Sequence, residues 1–331
     1  MKGKLLNDLL VKKRIEKDYS QKDISEMTGV SLNIIKAVET GRMIGNEKNL
    51  EKLCEVLDLK VNEIYFPNFR NTHIIAVVQN KGGDGKTSLT SSLGYALTEY
   101  GNKDTKVLLI DANPQINLTR SFGMESLANA NLGTAIEHDE DLINFIQPTD
   151  YNNIDMIVAH PSMSALEMLL LTKIERENCL KNVMRSIIEA GIYDYIFIDT
   201  DNHLGMLNYN ILNASEFLII PVCFAAFSLD GLETLLKHIR LVKRTNVKLE
   251  IAGIVVNKYD LRKKQTNADC EKVINDIFKD VKMFKTKIGL DSTIEHAQFN
   301  NIPVILQDKN SRIAKQYREL AKEVIKVVEN R

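Results

Sequence analysis

Apolar and polar positions follow two different periods along most of the chain. Short apolar runs predict buried strands at 74–78, 107–111, 155–159, 195–199, 217–222 and 251–256. Apolar residues spaced three or four positions apart predict helices at 164–190, 205–213, 229–244, 268–279 and 311–329. Strands that alternate with helices form a mostly parallel, doubly wound sheet with helices on both faces. The pattern therefore predicts an α/β domain whose ligands bind at the carboxyl ends of the strands.

The first 66 residues follow a different pattern, in which short helical periods replace the strands. Apolar residues between Ser20 and Arg42 are spaced as two short helices that meet at Gly29. Ser20 and Asp23 predict a capping box at the start of the first helix, and Ser31 is the expected cap of the second. Two helices joined by a tight turn that contains glycine are typical of a helix-turn-helix, here a small all-α unit.

A helix-turn-helix places its second helix, residues 32–38 here, in the major groove of DNA. The run Ser-Gln-x-x-Ile-Ser-x-x-Thr-Gly-Val-Ser from residue 20, followed by Val-Glu-x-Gly-Arg from residue 38, resembles the Cro/repressor-type family over residues 5–66. The resemblance implies DNA contacts by Gln21, Ser31, Asn33, Lys36 and Arg42. A module of the same fold that serves dimerisation or partner binding is the alternative, and the net charge of only +1 in residues 1–66 favours it.

Residues 67–72 begin with Pro67 and are mostly polar, so they predict a linker. The expected organisation is a helix-turn-helix domain at 1–66, this linker, and an α/β domain at 73–331.

A glycine-rich run joins the strand at 74–78 to the helical pattern that follows it. Residues 79–88 read Gln-Asn-Lys-Gly-Gly-Asp-Gly-Lys-Thr-Ser. In a phosphate-binding loop, backbone N–H groups converge on the phosphates and the lysine reaches the terminal phosphates. The threonine hydroxyl coordinates Mg²⁺. Nucleotide contacts are therefore expected at Gly82, Gly83, Asp84, Gly85, Lys86, Thr87 and Ser88. The Asp84 carboxylate must point away from the nucleotide or weaken its binding. A glycine-rich turn without a ligand is the alternative.

Two acidic residues end predicted strands at the edge of the sheet where this loop lies. Asp111 and Asp199 each follow an apolar run. Carboxylates at these positions suit the Mg²⁺ ion that accompanies nucleoside phosphates, with Asp199 as the Walker B residue. Thr87, Asp111 and Asp199 are therefore the predicted metal-side residues.

The glycine-rich run departs from the standard Walker pattern, because Asn80 replaces a glycine and Lys81 follows it. The run Lys-Gly-Gly-x-Gly-Lys-Thr resembles the ParA/MinD family of bacterial ATPases. Motifs that begin at Leu109, Asp199, Ile220, Gly253 and Ile302 extend the resemblance over essentially all of 73–331, although the prolines usual after the Walker B aspartate are replaced. The resemblance implies ATP and Mg²⁺ as cofactors and catalytic roles for Lys81 and Lys86. It also implies a homodimer in which Lys81 reaches the phosphates held by the other subunit.

The family's catalytic acid is replaced in this chain. In ParA-like ATPases the acid two residues beyond the metal-side aspartate activates the attacking water, and here that residue is Asn113. An amide can hold a water but cannot accept its proton. We therefore expect slow hydrolysis, with ATP binding and dimerisation retained, unless Asn113 is only a loop residue.

The base-recognition signal is shared by two classes of nucleotide-binding protein. Residues 257–260 read Asn-Lys-Tyr-Asp, which fits the Asn-Lys-x-Asp pattern of GTPases. ParA-like proteins often carry a similar string while using ATP. The resemblance therefore implies that Asn257 contacts adenine.

Charge is distributed unevenly over the 331 residues. The net charge of −1 combines +1 in residues 1–66, −11 in residues 67–236 and +9 in residues 237–331. A basic C-terminal third indicates either a nucleic-acid surface or a solvated lysine-rich helix face. The ParA-like family makes nonspecific DNA contacts in this part, which implies such contacts for Arg262, Lys263, Lys264 and Lys285.

The composition and the resemblance together give the functional hypothesis. A hydrophobic fraction of 44%, no apolar run near 18 residues and no signal-peptide pattern predict a soluble, cytoplasmic protein. The four cysteines lack metal-ligand spacing. The resemblance implies an ATP-dependent DNA partition protein, nucleoid-associated, with a ParB-like centromere-binding partner and a helix-turn-helix that could bind its own operator.

Two alternatives remain from the sequence. One is a transcriptional regulator whose ATPase domain only senses nucleotide. The other is a MinD-like ATPase that binds membranes through its amphipathic last helix, although such an apolar stripe is also what core packing produces.

Overall fold

The computed structural model describes residues 3–67, 69–100, 104–224, 231–279 and 281–330. The chain divides into two compact units. The first comprises Met1–Asn71 with Ala190–Ile192, and the second comprises Thr72–Glu189 with Tyr193–Arg331.

The first unit is mostly helical. Its strands β1 and β2 pair antiparallel and are Lys4–Leu5 and Tyr65–Phe66. Its helices α1 to α5 are, in order, Asn7–Glu16, Gln21–Thr28, Leu32–Glu39, Glu47–Val56 and Val61–Ile64. Leu10, Ile24, Ile35, Leu50 and Ile64 lie in one buried cluster, so every helix contributes to a common core.

The predicted helix-turn-helix is formed by α2 and α3. The capping box is present: Ser20 Oγ accepts from Asp23 N at 3.1 Å, and Asp23 Oδ2 accepts from Ser20 N at 2.7 Å. Gly29 ends α2 with a left-handed φ of 68°. Ser31 occupies the cap position of α3 but makes no capping hydrogen bond through its side chain. Met27, one of the apolar residues of α2, is 53% exposed.

The second unit is built on a seven-stranded sheet. Its strands β3 to β9 are His73–Val77, Val107–Ala112, Gln147–Pro148, Ile154–Ile157, Tyr195–Thr200, Phe217–Cys223 and Glu250–Asn257. They are ordered β5-β6-β4-β7-β3-β8-β9. The pairings are parallel except that β5 is antiparallel to β6. The predicted fold class is confirmed, and each of the six predicted strands is present.

The helices of the second unit connect these strands. Helices α6 to α17 are Lys86–Tyr100, Asn117–Arg120, Leu132–His138, Leu166–Thr172, Cys179–Val183, Arg185–Ala190, Met206–Ala214, Leu232–Val242, Lys264–Ile277, Ser292–Phe299, Val304–Gln307 and Arg312–Glu329. Helix α14 begins four residues before the predicted start at 268. Residues 229 and 230 of the helix predicted at 229–244 lie outside the described residues.

One predicted helix, at 164–190, is wrong as a continuous element. A 3-10 turn at Pro161–Ala165 leads into α9, which ends at Thr172. Lys173 adopts an extended conformation and Glu175 a left-handed φ of 50°, so the helical period is interrupted before α10 begins.

The amphipathic last helix, α17, packs in the core. Tyr317, Leu320, Val324 and Val328 are at most 1% exposed and share a buried cluster with Leu89 and Leu93 of α6. Among the described residues, no helix combines the length and hydrophobicity needed to cross a bilayer.

Candidate functional site

The glycine-rich loop lies between the end of β3 and the start of α6. Gly83 and Gly85 have φ of 82° and 85°, conformations that favour glycine. A Cβ on Gly85 would lie 2.1 Å from Asn257 Nδ2, so close approach also requires glycine there. Because α6 begins at Lys86, its N-terminal N–H groups and partial positive charge face the loop. The loop therefore has the shape of a phosphate cradle.

The side chain of Asn257, at the end of β9, is hydrogen-bonded to this loop. Its Nδ2 donates to Asp84 O at 2.8 Å, and its Oδ1 accepts from Lys258 N at 2.9 Å. The side chain is buried and also lines the cavity beside the loop. The residue expected to contact the adenine base is thus hydrogen-bonded to the phosphate loop.

Lys86 is nearly buried at the centre of the site. Its Nζ donates to Gln79 O at 2.9 Å, to Lys81 O at 3.4 Å and to Asn202 Oδ1. Burial lowers the pKa of the amine, whereas the carboxylate of Asp199 raises it. Lys81 itself is half-buried, on the same loop.

The two acidic residues Asp111 and Asp199 face each other on neighbouring strands β4 and β7. Asp199 Oδ2 accepts from Thr87 Oγ1 at 2.6 Å. Asp111 accepts from Thr119 N and Thr119 Oγ1 at 2.8 Å and from Asn113 N at 3.1 Å. Burial raises the pKa of each carboxyl, and the charge of Asp111 raises that of Asp199 further. The described residues contain no cluster of three metal-ligating His, Cys, Asp or Glu side chains.

Asn113 lies between this acidic pair and the open cavity. It is 7% exposed and lines the cavity. Its Oδ1 accepts from Gln115 N at 3.0 Å, which fixes the turn after β4. Residue 113 therefore presents an amide at the cavity wall.

The cavity has a volume of about 560 Å³. Its lining includes the phosphate loop with Lys86, Thr87 and Ser88, and also Leu290, Asp291, Ile294 and Glu295. Ser88 Oγ accepts from Gln298 Nε2 at 3.0 Å, which ties α15 to the start of α6. A glycine-rich cradle that shares a cavity with polar and apolar side chains suits a nucleotide.

Asp84, within the phosphate loop, is buried. Its side chain is 3% exposed and lies beside the thiol of Cys223 at the end of β8. Burial raises the pKa of Cys223 to about 12, with a further contribution from the Asp84 charge. Asp84 does not line the cavity, whereas Gly83 and Gly85 do, but its charge still raises the pKa of the Lys86 amine.

Sequence reasoning missed Asn202, whose side chain accepts from Lys86 and lines the cavity. The signal was the replacement of the usual prolines after Asp199. Gln298 was missed as well, because it meets Ser88 across 210 residues of sequence.

The predicted DNA-facing residues of the first unit lie around α3. Ser31, Asn33, Lys36 and Arg42 are exposed. Gln21 is half-buried, and its Nε2 donates to Glu39 Oε2 at 2.7 Å.

The predicted basic residues of the second unit are exposed but differ in their pairing. Arg262 forms a two-point ion pair with Asp260, at 2.9 Å from Nε and 2.8 Å from Nη2. Lys263 is the N-cap of α14, Lys264 is its first residue, and Lys285 lies beyond its end. The guanidinium holds the pKa of Asp260 down at about 2, so this carboxylate stays ionised and paired.

A mostly parallel sheet that carries a glycine-rich phosphate loop at the carboxyl end of a central strand defines the class of P-loop nucleotide-binding proteins. The family model described as an AAA domain matches residues 72–251, and the model described as a helix-turn-helix matches residues 10–64. The chain belongs to the ParA/Soj family of ATPases and carries an N-terminal helix-turn-helix domain.

Similar proteins cover the second unit. The sporulation initiation inhibitor protein Soj of Bacillus subtilis is 36% identical over 255 residues, 76% of this chain and 97% of Soj. The chromosome partitioning protein ParA of Caulobacter vibrioides is 30% identical over 257 residues, 76% of this chain and 93% of that protein. The septum site-determining protein MinD of Pyrococcus horikoshii, solved with Mg-ADP, aligns with a TM-score of 0.62 and 25% identity, covering 77% of this chain and 97% of MinD.

Proposed function

We propose that this protein is an ATP-dependent DNA partition protein that forms a homodimer when ATP and Mg²⁺ are bound. The observation that carries the proposal is the phosphate loop, which is shaped around Lys86 and has the second lysine, Lys81, five residues earlier. Its similarity to a chromosome partitioning protein supports the assignment.

The residues at the loop fit a nucleotide with its magnesium ion. The left-handed glycines keep the cradle open, and Lys86 is aimed along it. The Thr87 hydroxyl would coordinate the Mg²⁺ ion. Asp199 Oδ2 lies 2.6 Å from Thr87 Oγ1 and would hold the ion through one of its bound waters. Asp111 adds negative charge beside Asp199 and fixes the turn that carries Asn113. Bound Mg²⁺ would neutralise charge on the phosphates.

Base recognition favours adenine over guanine. A GTPase uses the aspartate of Asn-Lys-x-Asp to bind the guanine edge, but here Asp260 is paired with Arg262. Asn257 uses one of its two amide N–H groups on the phosphate loop, which leaves the other for the base. We assign ATP as the nucleotide and Asn257 as its base contact.

Hydrolysis is proposed to be slow. Asn113 lines the cavity where an attacking water must lie, but its amide cannot accept a proton. Asn113 orients that water, while Lys81 and Lys86 stabilise charge that develops on the phosphates.

DNA is the proposed macromolecular ligand of both units. Between Ser31 and Met43 the acidic residue is Glu39, and Arg14 pairs with it at 2.7 Å. The exposed face of α3 therefore offers Asn33, Lys36 and nearby polar groups to a major groove. The exposed Lys263, Lys264 and Lys285 would make nonspecific phosphate contacts in the second unit.

In this proposal, nucleotide binding switches the protein between two states. The dimer holds DNA, and a ParB-like centromere-binding protein stimulates release. The helix-turn-helix binds the operator of the protein's own operon, and the working location is the nucleoid in the cytoplasm.

Light scattering coupled to size exclusion tests the dimer directly. We expect the monomer mass without nucleotide and twice that mass with Mg²⁺ and ATP. Lys81→Ala should bind ATP yet remain monomeric, because the loop still provides Lys86 while the cross-subunit contact is lost. Lys106→Ala, a lysine outside the loop, serves as the control and should dimerise. A wild-type monomer under both conditions contradicts the proposal.

A second candidate is a transcriptional regulator whose ATPase domain only senses nucleotide. The observations that favour it are the exposed α3 surface and the amide at position 113. Partition predicts that a plasmid carrying this gene and its neighbours is lost when Lys86 is replaced by alanine. Regulation alone predicts altered transcription with unchanged plasmid retention.

A further inference from the structure

The segment after the Walker B aspartate lies across the phosphate loop. It joins the end of β7 to the start of α12 and spans residues 201–205. At one end Thr200 Oγ1 donates to Val77 O at 2.8 Å. At the other, Glu167 accepts from Met206 N at 2.7 Å and Leu207 N at 3.0 Å. Both ends are fixed, and Asn202 lies between them.

The amide of Asn202 reaches into the phosphate cradle. Its Oδ1 accepts from Lys86 Nζ, and its Nδ2 lies 3.3 Å from the position of a Cβ on Gly82. The side chain therefore contacts both the loop and the amine that a phosphate would contact.

All three hydrogens of the Lys86 ammonium have acceptors in this arrangement. Two acceptors are the backbone oxygens of Gln79 and Lys81, at 2.9 and 3.4 Å, and the third is Asn202 Oδ1. An ammonium group has three donors, so a phosphate oxygen must replace one acceptor. Asn202 is exposed and is the one acceptor of the three that belongs to a side chain, so it can turn away without changing the loop.

We propose that Asn202 is a latch on Lys86 that sets the affinity for nucleoside triphosphate. It holds the amine in the nucleotide-free protein, and a phosphate group displaces it. This inference rests on the proposed nucleotide-binding function of the loop.

The test is calorimetric binding of the non-hydrolysable analogue AMP-PNP with Mg²⁺ to the full chain. Asn202→Ala removes the competing acceptor, so its Kd should fall by about three- to tenfold, where tenfold corresponds to ~1.4 kcal/mol. His203→Ala, on the same segment and also exposed, should leave the Kd unchanged.

A double-mutant cycle tests whether Asn202→Ala acts through Lys86 or only makes the phosphate loop easier for the nucleotide to reach. On a Lys86→Met background, Asn202→Ala should no longer change the Kd, because the amine that Asn202 holds is gone. Thermal unfolding of each variant without nucleotide verifies that the proteins compared are folded.

The outcomes are distinguishable. A Kd that rises or stays the same in Asn202→Ala overturns the latch, since the amide then contributes to binding or has no part in it. An equal gain on both backgrounds overturns it too, because the effect would not pass through Lys86. Absence of binding by the wild-type protein overturns the proposed function itself.

Discussion

At the scale of single residues, the proposed slow hydrolysis depends on the amide of Asn113. The backbone around it is held by Asp111 Oδ1 at 3.1 Å and by its own contact with Gln115, so a carboxylate can replace the amide without moving the turn. We expect Asn113→Asp to speed single-turnover hydrolysis by about 100-fold or more, because a positioned general base contributes that much.

Two further measurements serve as controls for this prediction. AMP-PNP affinity should be similar in Asn113→Asp and the wild-type protein, and Asn113→Ala should be no faster than wild type. Rapid cleavage by the wild-type protein would show that another group activates the water.

Asp199 gives a pH dependence to the stability of the nucleotide-free protein. Burial and then the charge of Asp111 raise its pKa from 3.8 to about 7. The native state therefore binds a proton more tightly than the unfolded state, and stability falls as pH rises between these two values. An amide in place of this carboxyl cannot ionise, so Asp199→Asn should gain stability over wild type across that window.

Urea unfolding at pH 5 and pH 8 without Mg²⁺ or nucleotide measures the effect. The advantage of Asp199→Asn should be larger at pH 8, on the order of 1–3 kcal/mol. Asp150→Asn, an exposed carboxyl in the same unit, should show no such trend. An advantage that is constant with pH would mean that Asp199 is not held at a raised pKa.

At the scale of elements, regular patterns were predictable and breaks in them were not. The buried strands of a parallel sheet are long apolar runs, so β3, β4 and β6 to β9 were evident in the sequence. The two-residue strand β5 has no such signal. The interruption before α10 depends on a left-handed residue, Glu175, which is not a type that usually marks a break.

In the candidate site, too, local motifs could be predicted and contacts between distant parts of the sequence could not. The phosphate loop is a local motif, so its residues could be named from the sequence. Asn257 meets Asp84 across 173 residues, and Asn202 meets Lys86 across 116. Such contacts depend on strand order, which no local spacing encodes.

Helix α3 depends on an internal ion pair. Glu39, at its last position, accepts from Arg14 of α1 at 2.7 and 3.1 Å and from Gln21 of α2. The Arg14 and Glu39 side chains are 14% and 8% exposed. Because removing one partner leaves the other buried and unpaired, we expect Glu39→Ala to cost about 3 kcal/mol in the first unit.

Hydrogen exchange on the full chain would show this as faster exchange in the helices of the first unit and unchanged exchange in the second. The matched control is Glu26→Ala, which breaks a pair with Lys22 whose side chains are 68% and 78% exposed. That change should stay within about 0.5 kcal/mol. Equal exchange in the two variants would show that the ion pair does not stabilise the unit.

At the scale of the whole molecule, positive charge is concentrated in the C-terminal third, where the net charge is +9, while residues 67–236 carry −11. Such segregation matters for DNA, because each phosphate neutralised by a lysine releases counterions and steepens the salt dependence of binding. Arg262 is already paired with Asp260, so Lys263 and Lys264 are the better candidates for phosphate contacts.

Binding to random-sequence duplex DNA with AMP-PNP and Mg²⁺, measured across a range of salt, tests that surface. Replacing both Lys263 and Lys264 by alanine should reduce the slope of log K against log salt by about 2 units, since each contact contributes ~0.9. Replacing the exposed Lys243 and Lys248 removes the same charge from elsewhere in the same third and should change the slope much less. Because overall charge falls equally in the two double variants, equal slopes would assign the DNA affinity to net charge and not to the start of α14.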